Sequence, residues 1–75
     1  MRLTELTADL QMLRENLADE LLAINRFEEQ AFSLSDDDPK EAVQRIGDDK
    51  KDHVARLLKL LQKLDVKQRE KIEHA

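Results

Sequence analysis

The sequence has no cysteine, tryptophan or tyrosine, and only one glycine, one proline and two phenylalanines. Without cysteine there are neither disulfides nor thiolate metal sites. Without a glycine-rich segment there is no loop to cradle a phosphate, and no serine or cysteine nucleophile has a base beside it. No apolar run approaches the roughly 20 residues that span a bilayer, so no membrane partner is expected. The opening Met1-Arg-Leu-Thr-Glu5 lacks a signal-peptide core, and the chain reads as cytoplasmic. Net charge is −4 with both signs interspersed. Only Lys67 to Lys71 is locally basic, alternating with Glu70 and Glu73, so no nucleic-acid partner is expected.

What is present is the composition of long helices: 40% of the residues are charged, and Leu, Glu, Lys, Arg, Ala and Asp dominate. A chain of 75 residues forms one small domain (residues 1–75), and one this short usually needs a staple or a partner chain. Thr4 or Thr7 is the candidate N-cap of a first helix over 4–34, along which Leu3, Leu6, Leu10, Leu13, Leu17, Leu21, Ile24, Phe27 and Ala31 trace one face. The turn falls at 35–38. Asp38 before Pro39, with Glu41 three residues after the cap, marks the start of a second helix over 39–64. Gly47 inside it weakens the helix by about 1 kcal/mol relative to Ala and is expected to mark a close approach of another backbone. Asp65 caps a short third helix over 66–73, with Gln68 at the matching position. The fold class is all-α: an antiparallel helical hairpin plus a short C-terminal helix. Because one hairpin cannot cover both apolar stripes, it is expected to dimerise into a four-helix bundle, as a homodimer or a larger even assembly.

Polar groups interrupt the stripes. Stepping by three or four residues from Ile46 to Leu57 lands on Lys50 and His53, and Glu20 lies between Leu17 and Ile24 on the inward half of helix one. A turn near Asp36 pairs positions whose numbers sum to about seventy-two, setting Glu20 opposite Asp52 and His53 and within a turn of Lys50. Removing such groups from water is unfavourable by several kcal/mol unless they are paired. Two readings follow. Glu20 and His53 are ligands of a divalent ion of the iron, manganese or zinc kind, doubled by two-fold symmetry; or Glu20 pairs with Lys50 and the cluster fixes register without chemistry. His74, near a helix end, is expected to be solvated. Glu28, Glu29 and Gln30 form a wet face, and Asp36 to Asp38 serve the loop and cap.

Asp19-Glu-Leu-Leu-Ala-Ile-Asn-Arg-Phe27, followed by Asp48-Asp-Lys-Lys-Asp-His-Val-Ala-Arg-Leu-Leu58, resembles the encapsulated-ferritin branch of the ferritin-like superfamily. The likeness covers residues 10 to 65. Members of that branch are half-ferritins that dimerise to complete a four-helix bundle with a di-iron ferroxidase site at the interface. The resemblance implies Glu20 as first-helix metal ligand, His53 as the histidine of the Glu-x-x-His motif, and iron as the cofactor. Phe27 takes an aromatic position. It also departs from the pattern. Lys50 stands where the motif needs its glutamate, and lysine supplies neither negative charge nor a lone pair. Asp49, about 100° away around the helix, is the candidate replacement, giving a metal set of Glu20, His53 and Asp49. An encapsulin-type shell is an implied partner, but Ile72-Glu-His-Ala75 carries no docking peptide. The expectation is a metal-binding, ferroxidase-like protein, with a non-enzymatic interaction module built on a Glu20–Lys50 ion pair as the alternative.

Overall fold

The computed structural model describes residues 2–75, and they are all-helical: α1 (Leu3–Ser33), α2 (Asp37–Leu64) and α3 (Val66–Glu73). α1 runs unbroken because neither glycine nor proline interrupts its 31 residues, a length of about 46 Å at ~1.5 Å per residue. It starts earlier than either threonine. Arg2 takes the N-cap position with extended backbone, and its N–H donates to the Glu5 carboxylate at 3.4 Å. Thr7 instead lies inside the helix, its hydroxyl donating to the Leu3 carbonyl at 2.9 Å. That local bond satisfies a hydroxyl mid-helix and removes its reason to cap.

α2 also starts earlier than the Asp38–Pro39 signal indicates. Asp36 is the N-cap, and its Oδ1 accepts the Asp38 N–H at 3.1 Å. Pro39 becomes the third helical residue, still within the turn whose N–H groups have no helical acceptor, so its missing donor is not needed there. Asp37 and Asp38 then sit in the positive end of the helix dipole. Asp65 ends α2 and begins α3, accepting the Gln68 N–H at 3.1 Å.

α1 and α2 lie against one another with residue numbers falling on one as they rise on the other: Phe27 beside Gly47, Glu20 beside Lys50 and His53, Arg14 beside Asp65. A methyl added at Gly47 would stand 3.4 Å from the Phe27 Cβ, an ordinary van der Waals contact. The neighbour that approaches Gly47 is thus a side chain, and space remains for alanine.

The core between these helices is thin. Leu10, Ala31 and Leu61 are the buried apolar residues among those described, while Leu21, Leu22, Ile46, Leu60 and Phe32 stay largely exposed. The chain is a slab of 51 × 26 × 14 Å with a Cα radius of gyration of 15.9 Å, against about 11 Å for a compact domain of this length. One layer of helices has no second layer to bury its face against, and stable domains need two.

Candidate functional site

Glu20 is presented by α1 and meets two cationic or ionisable groups one turn apart on α2. Its Oε2 lies 3.3 Å from the Lys50 ammonium, and its Oε1 lies 3.3 Å from His53 Nδ1. The spacing explains the arrangement: residues three apart on a helix share a face, so Lys50 and His53 project together. Glu20 and Lys50 are mostly shielded, with 22% and 28% of their side-chain surface exposed, whereas His53 keeps 47%. Oε2 is out of contact with water and makes no well-directed hydrogen bond. Lys50 therefore meets it as a charge at ion-pair distance rather than along a lone pair.

Partial loss of water pushes the Glu20 carboxyl up; contact with Lys50, and then with His53, outweighs this and leaves it below the ordinary value of 4.5. Glu20 is thus held as the anion, with a cation on one oxygen and an imidazole on the other. A shallow groove opens beside the pair, lined by Asn16, Asp19, Glu20, His53, Arg56 and Leu57. Asp49 is exposed and lies outside that lining. Asp52, at the level of Glu20, is exposed too, and so is His74.

A dinuclear iron centre fits this donor set poorly. Two cations need carboxylates to bridge and neutralise them, and here the one inward carboxylate is already neutralised by an ammonium at 3.3 Å. Among the described residues, no three His, Cys, Asp or Glu side chains converge as they would around an ion.

A second polar contact had no signal in the sequence. Arg14 on α1 donates to Asp65 at 2.9 Å, with Asp65 only 16% exposed. Asp65 closes α2, caps α3 and anchors both to α1. The Gln68 backbone N–H, and next the Arg14 guanidinium, hold its carboxyl below the usual 3.8. Around Phe27 and Gly47 the helices leave another surface cleft, bordered by Glu28 and Lys51, but those two charges are 4.0 Å apart and well solvated. Surface pairs of this kind contribute little.

No helix among the described residues is long and apolar enough to cross a membrane. Comparison with protein-family models, with curated proteins and with solved structures finds no match.

Proposed function

We propose that the chain is a ferritin-like helical hairpin that pairs with a second copy to complete a four-helix bundle, and that Glu20, Lys50 and His53 form a polar cluster at the interface where the resemblance implies iron. The cluster sets the register of the assembly and does no redox chemistry. The observation that carries this reading is the Glu20 carboxylate, bracketed by Lys50 and His53 at 3.3 Å each. Partly buried ionic groups of this kind are best attested as devices that specify register and partner.

Surface area supports the pairing. The chain exposes 6101 Å², whereas a compact monomer of 8.8 kDa exposes about 4,800 Å². The excess of about 1,300 Å² is more than the roughly 800 Å² that each partner contributes to a standard interface.

The second reading is a single divalent ion, iron by default, shared between two copies. The contact that favours it is Glu20 against His53, since a carboxylate and an imidazole from facing helices suit such an ion. Titration with Fe²⁺, Co²⁺ and Zn²⁺ at neutral pH separates the two. Wild-type protein is expected to bind none stoichiometrically, while Lys50→Glu, which restores the Glu-x-x-His motif, gains binding. Stoichiometric uptake by the wild type, lost in both Glu20→Ala and His53→Ala, would establish the metal reading instead.

A further inference from the structure

The exposed flank of α2 carries a stripe that repeats its own character in reverse. Ile46, Asp49, His53, Arg56 and Leu60 follow at intervals of three, four, three and four residues, so they lie along one face of the helix. All five are exposed, Ile46 at 43% and Leu60 at 44%. This stripe flanks the one that meets α1, which runs through Val43, Gly47, Lys50, Val54, Leu57 and Leu61, and His53 borders both, since one ring nitrogen lies against Glu20 while 47% of its side chain stays exposed. From either end the flank reads apolar, charged, imidazole, charged, apolar, and the two charges are opposite in sign. His53 is its midpoint, and both His53 and Arg56 line the groove beside Glu20.

We propose that the α2 helices of two copies pair antiparallel across a two-fold axis at His53, with Ile46 packed on the partner's Leu60 and Asp49 facing the partner's Arg56. This rests on the self-pairing read above and adds which face is used and in which direction. The spacing is that of the seam along which two helices pack, with apolar residues closing both ends. The apolar residues alone do not choose a direction, because parallel pairing would also bury them, Ile46 on Ile46 and Leu60 on Leu60. The charges choose. Parallel pairing sets Asp49 against Asp49 and Arg56 against Arg56, and like charges across an interface oppose association. Antiparallel pairing converts both clashes into attractions. It also brings the partner's His53 to the groove beside Glu20, so the polar cluster is completed by the second copy.

The absence of cysteine makes single cysteines unambiguous reporters of this geometry. Ile46→Cys chains are mixed in equal amounts with isotope-labelled Leu60→Cys chains, exchanged, oxidised, and the disulfide-linked products weighed by mass spectrometry. The mixed 46–60 product is expected to exceed each like-with-like product severalfold. Dominance of the 46–46 and 60–60 products would overturn the antiparallel direction. A dimer by light scattering that yields none of the three would assign the interface to another face, overturning this inference while leaving the self-pairing intact. A folded monomer would end both. Charge exchange gives an independent measurement that leaves the apolar contacts alone. Asp49→Arg should weaken pairing roughly tenfold, and Asp49→Arg combined with Arg56→Asp should recover it. An unchanged dimerisation constant in Asp49→Arg would contradict the facing of Asp49 and Arg56.

Discussion

At the residue scale, Glu20 is a carboxylate whose surroundings favour the charged form. A group held below its ordinary value stabilises the fold above that value and loses its contribution as pH falls through the folded one. Both Glu20 and Asp65 are depressed in this way, from 4.5 and 3.8. Stability should therefore decline as pH drops below about 4.5, and Glu20→Gln should flatten the upper part of that decline. Chemical denaturation at a series of pH values measures both slopes, and equal slopes in the two proteins would remove Glu20 from the explanation. Lys50→Met takes away the charge that shields Oε2, so the Glu20 carboxyl should titrate higher than in the wild type, as read by carboxyl-carbon NMR. An unmoved titration would mean that the pair at 3.3 Å does not persist in solution. The sequence made these three residues legible because polar side chains on an apolar stripe stand out against their neighbours. It did not separate Asp49 from Lys50, since adjacent residues on a helix differ by only about 100°. The structure turns Lys50 to Glu20 and leaves Asp49 exposed.

At the scale of elements, the helices begin where a side chain satisfies a free N–H, and the sequence offered more candidate caps than the fold uses. Asp36, Asp37 and Asp38 are equally good acceptors in isolation, and only the backbone path decides that Asp36 takes the role. Thr4 and Thr7 both fall inside α1, which begins at Leu3, and the Thr7 hydroxyl bonds back to the Leu3 carbonyl instead of capping. Asp65 was legible, having a single short break in which to act. Asp36→Ala should destabilise the protein by about 1 kcal/mol, as measured by urea unfolding. Gly47→Ala should work the other way. The added methyl meets Phe27 Cβ at an ordinary 3.4 Å, and the gain in helix propensity is about 1 kcal/mol. A loss of stability there would show that the contact with Phe27 is tighter in the assembled protein. Replacing Asp65 with Ala removes the α3 cap and the Arg14 contact together, so amide exchange should quicken throughout Val66–Glu73 before it changes in α1.

At the scale of the whole molecule, the chain leaves ten large apolar side chains exposed, from Leu3 to Ile72. Leu10, Ala31 and Leu61 are buried, Leu13, Leu17, Ile24, Phe27 and Leu57 only half-buried, and in the proposed pairing the second copy adds the apolar burial that offsets the ordering of the backbone, about 1–2 kcal/mol per residue. All-helical character was readable from the unbroken period of the leucines. The sum rule for facing positions placed Glu20 near His53 to within a turn, but it could not see Arg14 and Asp65, whose contact depends on how α3 departs from α2. If folding is coupled to the proposed pairing, the melting temperature should rise with protein concentration; a melting temperature independent of concentration would point to a chain that folds alone.

Sedimentation equilibrium on the wild-type protein at neutral pH, without added metal, tests the central claim most directly. The expected result is a helical species of twice 8.8 kDa, or a higher even multiple, that dissociates and unfolds together on dilution. A fully helical, cooperatively folded species of 8.8 kDa at every concentration would contradict it.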